Sequence, residues 1–195
     1  MPISSRFFFA IFLVMSVSCQ SFAQLNWLRS SGAIGYEDVV ATDYQVASGV
    51  VAAGHFNTPF YMGVFPFNTA GLSDVFVISY LPDGTFNWAR SLGGTGDERA
   101  SAIKASSNGD VLVTGTFTQS FQAGNTLLTC QGQRDVFVIR LNMMGQITAA
   151  FSFGGPGNEE VGDIDMDPNG NILVVGTYRG IAQFGTQSVI SSFNP

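Results

Sequence analysis

Apolar residues in this chain come in short runs of four to seven, rich in Val, Ile, Leu and Phe and broken by Gly, Asn and Asp. None of these runs carries the 3.6-residue spacing of a helix, and their length and β-branched or aromatic content are those of strands. In the clearest stretch they span residues 100–105, 111–117, 136–141 and 147–153. Ser106-Ser107-Asn108-Gly109-Asp110 divides the first pair, and Asn142-Met143-Met144-Gly145 the second. Asp167-Pro168-Asn169-Gly170-Asn171 and Pro82-Asp83-Gly84 punctuate the neighbouring sequence in the same way. Asn-Gly and Asp-Gly between apolar runs predict tight hairpins, because both residues tolerate positive φ. Strand one is thus expected to pair with strand two, and strand three with strand four. The connection from two to three is the longest, Gln119 to Arg134 here and Asn57 to Ser73 before it. Its Phe121, Leu127 and Leu128 predict packing against the sheet and a short irregular strand.

The strands are apolar on both faces. In Asp135-Val-Phe-Val-Ile-Arg-Leu141 one face carries Val136 and Val138, and the other Phe137, Ile139 and Leu141. Both faces of Ile172-Leu-Val-Val175 are aliphatic as well. A sheet with one face in water alternates apolar with polar. This pattern instead predicts sheets covered on both sides.

What covers them is implied by an internal repeat. Sliding residues 86–147 by 61 positions lays Trp88-Ala-Arg90-Ser91 over Trp27-Leu-Arg29-Ser30, and Asp135-Val-Phe-Val-Ile139 over Asp74-Val-Phe-Val-Ile78. In the other direction Gly93-Gly94-Thr-Gly96-Asp-Glu98 falls on Gly154-Gly155-Pro-Gly157-Asn-Glu159. Units repeated at a fixed period stack on one another to bury their faces. A β-solenoid has shorter coils without hairpins at these intervals, whereas four hairpin-linked strands per period suit a propeller blade. The expected fold is all-β, tandem four-stranded antiparallel blades of a β-propeller. The repeats are 25–85, 86–146 and a truncated 147–195, about two and three-quarter blades. The third copy stops before its Asp-Val-Phe-Val-Ile strand. A fragment of a longer product is the favoured expectation, with a ring of several chains or an open arc as alternatives. The Gly93 to Glu98 loop is expected to carry the chain from the last strand of one blade to the first of the next.

These motifs carry a family resemblance. Gly-Gly-x-Gly-[Asp/Asn]-Glu, then Asn-Gly-[Asp/Asn]-[Val/Ile]-Leu-Val-x-Gly-Thr, Asp-Val-Phe-Val-Ile and Asp-Gly before an aromatic strand resemble the bacterial secreted β-propeller repeat of the SBBP type. The resemblance covers nearly all of residues 24–195. It implies a repeat architecture and no particular activity. The first copy departs from it, with Gly35-Tyr36-Glu37-Asp38 at the Gly-[Asp/Asn]-Glu step and Ala47-Ser48 at the Asn-Gly turn. Recurring Gly-His and Trp-Asp pairs, the mark of WD propellers, are missing.

Composition narrows the function classes. Hydrophobic residues make up 46% of the chain and charged ones 11%, with a formal charge of -6 and a single lysine, Lys104. Nucleic acid, whose phosphates demand clustered Lys and Arg, is an unsuitable partner. Residues 1–23 read as a signal peptide, with Arg6 ahead of an apolar Phe7 to Val17 and Ser21-Phe22-Ala23 as the cleavage site. The apolar run is too short to span a bilayer, so no transmembrane span is expected in the mature chain. Export to the cell envelope or beyond follows, with Cys19 after Ser16-Val17-Ser18 as an alternative lipid-anchor site. Cys130 is then the only cysteine left, read as a small apolar residue near a turn.

Candidate chemistry is sparse. No Gly-x-Ser-x-Gly, His-Glu-x-x-His or paired cysteine motif occurs. His55, the one histidine, is replaced by Thr116 and Thr177 in the other copies and reads as a strand residue. Asp165-x-Asp167-x-Asn169-Gly170 matches the opening of a calcium loop, but Gly176 stands where its closing Glu belongs. A hairpin with solvated acids is the preferred reading, and calcium the weaker one. The inter-unit loops carry Asp97 and Glu98 in one copy and Asn158, Glu159 and Glu160 in the next. They form the candidate binding set, a ring at one end able to hold a cation or a polar ligand, against the plainer reading of loop carboxylates accepting backbone N–H bonds. A non-enzymatic module binding protein or glycan, or serving as a spacer, is the leading expectation. The alternative is a carbohydrate-active propeller enzyme.

Overall fold

The computed structural model describes residues 10–16, 24–31, 35–45 and 49–190. Among these the chain forms strands and turns and no helix. A first pair, β1 (Ala10–Ser16) and β2 (Gln24–Ser31), is antiparallel. β1 thus falls within the segment read as a signal peptide, while Cys19, the cleavage site and Ala47-Ser48 lie outside the described residues.

Two complete four-stranded antiparallel sheets follow. The first contains β3 (Glu37–Gln45), β4 (Gly49–Phe56), β7 (Asp74–Tyr80) and β8 (Phe86–Leu92), in that order across the sheet. Between β4 and β7 stands a small hairpin, β5 (Phe60–Met62) and β6 (Phe65–Phe67). The second sheet repeats the plan with β9 (Arg99–Ala105), β10 (Val111–Phe117), β13 (Asp135–Leu141) and β14 (Ile147–Phe153). Its small hairpin is β11 (Phe121–Ala123) with β12 (Thr126–Leu128). A third unit contributes β15 (Glu160–Met166) paired with β16 (Ile172–Thr177), and the hairpin β17 (Ile181–Phe184) with β18 (Gln187–Ile190).

The expected pairing of strands one with two and three with four holds in both complete sheets, joined by a two-to-three pairing that closes each sheet. Gly84, Gly109, Gly145 and Gly170 occupy the expected turns with φ of 80°, 87°, 70° and 86°, a region open to glycine at little cost. The loop from Gly93 to Glu98 does join the last strand of one sheet to the first of the next. The departures in copy one leave its sheet with four strands all the same.

One expectation needs correction. The two-to-three connection holds a regular hairpin, not an irregular strand, and it recurs in all three units. Within it Phe121 and Leu128 are buried, but Leu127 is 61% exposed. Phe121 and Leu128 are register partners, as are Gln122 and Leu127, so the period of two that buries the first pair turns the second outward.

Both faces of the complete sheets are covered, as the strand pattern predicts. Val51, Ala53, Val75 and Val77 of the first sheet meet Ile103, Val113, Phe137 and Ile139 of the second in one continuous core, into which the β11–β12 hairpin inserts Phe121 and Leu128. The opposite face of the first sheet packs Phe56, Phe76 and Ile78 against Phe60 and Phe67 of its own hairpin. Ala102, Leu112 and Val138, on the far face of the second sheet, meet Ile164 of β15. The first strands are neighbours in series, β9 packing on β3 and β15 on β9. The third unit breaks the pattern: in β16, Leu173, Val174 and Val175 are exposed.

Candidate functional site

Antiparallel strands of equal length sort the loops into two ends. The loops between sheets and the small hairpins lie at one end, and the tight turns within sheets at the other. The predicted residues fall at both.

At the first end the loop acids divide. Backbone bridges tie the inter-sheet loop to the start of the third strand, with Glu98 N–H donating to Ser73 O at 2.9 Å and Glu159 N–H to Arg134 O at 2.9 Å. That places each Glu beside the Asp that opens Asp-Val-Phe-Val-Ile. Glu98 is fully buried and its Oε2 accepts the Gly94 N–H at 2.7 Å. Asp74 is 2% exposed and its Oδ2 accepts the Ala70 N–H at 2.7 Å. A Cβ added to Gly93 would stand 2.5 Å from Asp74 Oδ1 and 2.9 Å from Glu98 Oε2, so the two carboxyls converge beside that glycine.

The arrangement recurs one unit later. Asp135 Oδ2 accepts the Gln131 N–H at 2.9 Å and Glu159 Oε2 the Gly155 N–H at 3.1 Å, both side chains being buried. A Cβ on Gly154 would lie 2.5 Å from either oxygen of Asp135. Burial pushes all four carboxyls above their usual range, Glu98 to about 7, and the backbone N–H bonds only partly oppose it. Each of the four keeps one buried oxygen without a hydrogen-bond partner: Asp74 Oδ1, Glu98 Oε1, Asp135 Oδ1 and Glu159 Oε1.

Of the remaining predicted residues, Asn158 and Glu160 are exposed and Asp97 is half-buried. Asp97 takes Arg99 Nε at 3.0 Å, and its N–H donates to Thr118 Oγ1 at 2.9 Å. Asn158 Nδ2 donates to Gln133 Oε1 at 3.2 Å. Glu160 is exposed on the rim of an apolar groove of about 320 Å³ formed with Phe153, Val161, Ile172 and Phe184. The expected ring of loop acids is thus split, with Glu98 and Glu159 turned into the protein and accepting backbone N–H bonds, as in the plainer reading. Asp74 and Asp135 escaped the sequence reading. The available signal was an acid repeated at the head of a strand apolar on both faces.

At the turn end three residues spaced by 61 positions align across the first strands: Asp43 on β3, Lys104 on β9 and Asp165 on β15. Lys104 Nζ lies 3.3 Å from Asp165 Oδ1 and 3.9 Å from Asp43 Oδ2. The Asp165 hydrogen bond, then the charge of Asp43, raises the lysine pKa. The Met166 N–H, then Lys104, lowers that of Asp165. Asp43 Oδ2 also accepts the Ala105 N–H at 2.8 Å. Asp167 is turned to its own hairpin, its Oδ1 accepting the N–H groups of Asn169 and Asn171 at 2.8 Å each. Asp165 is therefore paired with Lys104 while Asp167 and Asn169 bond within their own hairpin, and no group of three or more His, Cys, Asp or Glu able to hold a metal occurs among the described residues.

Beside this triad a cleft of about 660 Å³ opens between the turns of the second and third units, lined by Gln45, Lys104, Ser107, Asn108, Arg140 and Asn169 among others. Its cations are paired, Arg140 Nε donating to Asp110 Oδ2 at 2.9 Å, and its one acid, Asp167, is turned to its own hairpin. What it presents to a visitor is chiefly amide and hydroxyl.

His55 is buried in β4, opposite Asp38 and Val75, and burial lowers its pKa. Cys130 is half-buried with Sγ 3.4 Å from Gly132 O, and burial raises its pKa. No helix among the described residues is long and apolar enough to cross a membrane. No protein-family model matches this chain, and no curated protein matches it.

Proposed function

We propose that the chain is an exported, non-enzymatic β-propeller repeat module of the SBBP type, and that its turn-end cleft binds a polar ligand, a glycan, at the cell envelope. The observation that carries the reading is the composition of that cleft. Gln45, Ser106, Ser107, Asn108 and Asn169 offer neutral donors and acceptors, and the adjoining Lys104 and Arg140 are already paired with carboxylates. Sugar hydroxyls exchange hydrogen bonds with such groups without demanding a net charge. The rival reading, a carbohydrate-active enzyme, needs two carboxylates free to flank a bond. Asp167, the one carboxylate among the residues lining the cleft, is instead held by the backbone N–H groups of Asn169 and Asn171.

The test is retention of the purified chain on a panel of envelope polysaccharides, with Asn108→Ala and Asn169→Ala combined. Each lost hydrogen bond weakens binding by about 1 kcal/mol, so the double variant should bind about tenfold or more weakly. Retention by no glycan, together with binding to a purified envelope protein, would replace the glycan by a protein ligand. Release of shortened sugars from a retained glycan would establish the enzyme.

A further inference from the structure

The acid pairs between the sheets ask a separate question, independent of the ligand in the cleft. Two carboxyls enclosed in protein repel one another and lose their hydration, and such groups persist when paired or when they coordinate a metal. Around Asp74 and Glu98 no cation does this work. The charged groups acting on Glu98 are Asp74 and Asp97, and Arg99 is engaged with Asp97. Around Asp135 the interacting groups are Cys130, Glu159 and backbone N–H donors, and Glu159 receives a backbone N–H from Arg179, not its guanidinium.

We propose that each junction between consecutive sheets is a binding site for a hard divalent cation of the calcium class, held between Asp74 and Glu98 at one junction and between Asp135 and Glu159 at the next. Four features converge on this assignment. In every carboxyl one oxygen is fixed by a loop N–H, which orients the other, and that other oxygen is buried with no partner. These four atoms account for all but one of the unpartnered buried side-chain polar atoms among the described residues, His55 Nδ1 being the fifth. Gly93 and Gly154 let the carboxyls lie directly against the loop backbone, where any Cβ would clash with Asp74 or Asp135. The construction recurs at the repeat period, as expected of a built site. Carboxylate oxygens are hard donors, which select calcium or magnesium over softer metals, and calcium accepts the more flexible geometry. In copy one the equivalent of Glu98 is Glu37, which takes the Thr58 hydroxyl at 3.3 Å, and Leu13 stands where the Asp would be. Two sites, not three, are therefore expected.

The test uses the whole purified chain, stripped with a chelator and titrated with calcium chloride. Equilibrium dialysis should find one ion per junction, with half-saturation at about 10⁻⁴–10⁻³ M. Calcium should raise the melting temperature, and Asp74→Asn combined with Glu98→Gln should remove one of the two ions while keeping shape and volume. Absence of calcium uptake by the unmodified chain at ten times that concentration would overturn the proposal and leave a proton shared within each pair. Uptake undiminished in both this variant and Asp135→Asn with Glu159→Gln would also overturn it. A variant that fails to fold leaves the dialysis stoichiometry of the unmodified chain to decide.

Discussion

Glu98 concentrates the electrostatics of the molecule in one residue. Its carboxyl is wholly enclosed, and that burial, with the charges of Asp74 and Asp97 added, favours the neutral form and raises its pKa from 4.5 to about 7. In the metal-free chain this has a definite sign. Between the two values the folded protein holds a proton that the unfolded chain has released, so stability falls as pH rises. The contribution is fully present below the unfolded value and is lost through the folded one. The difference corresponds to about 3 kcal/mol for this residue, and Asp74, Asp135 and Glu159 act in the same direction. His55 opposes them, since its lowered pKa withdraws stability at acid pH. Urea unfolding in chelator at pH 5 and pH 7.5 should show the chain weaker at the higher pH, and Glu98→Gln should flatten most of the difference. A stability that climbs steadily with pH in both proteins would contradict this account.

At the scale of elements, the first strands are matched by side chains as well as by packing. Lys104 sits between Asp43 and Asp165, so three neighbouring strands carry the order acid, base, acid at one level. All three are partly exposed, and ion pairs there are worth little individually, about 0.2–1 kcal/mol. Lys104→Met should therefore cost at most about 1 kcal/mol. Lys104→Glu places three acids in a row and should cost roughly twice that, with the excess recovered in about 1 M salt because the charges are screened. Equal loss in both variants, unaffected by salt, would mean that the stem packs and the charge does not matter. The sequence made the strands and their turns legible because apolar runs, Asn-Gly turns and a 61-residue period all act locally or repeat. Leu127 was misplaced because Gly124-Asn125 makes a tight turn inside the connection, with Gly124 at φ 61°, so a regular hairpin with its own alternation stands where an irregular strand was expected. Asp74 and Asp135 were missed for another reason: their partners come from the following loop and meet them only after the Ser73 and Arg134 backbone bridges form. The alignment of Asp43 with Lys104 was present in the spacing, but its meaning depended on first strands lying side by side.

At the scale of the whole molecule, the two junctions between sheets differ in what they bury. The first joins large side chains from both sheets and a small hairpin, including Trp88, Phe117, Phe121, Phe137 and Ile139. Trp88 reaches across it to donate its indole N–H to Met143 O at 3.0 Å. The second junction rests on a much smaller cluster, Ala102, Leu112, Val138 and Ile164, with Phe153, Met166 and Ile172 at its edge. Local opening follows the amount of apolar surface held down, so the third unit should detach first. Hydrogen exchange should protect the amides of β15 and β16 less than those of β10 and β13, although both pairs form regular antiparallel ladders. Ile164 is the lever for this, being 3% exposed and the sole fully enclosed side chain that the third unit supplies to that cluster. Ile164→Ala removes methyl and methylene groups from a buried site and should cost about 2–4 kcal/mol of the attachment of the third unit. Exchange in β15 and β16 should then accelerate by a factor of about 30 or more, while β10 and β13 keep their rates. Uniform acceleration across all three units would show instead that the sheets unfold as one body and that the smaller junction is not a point of separation.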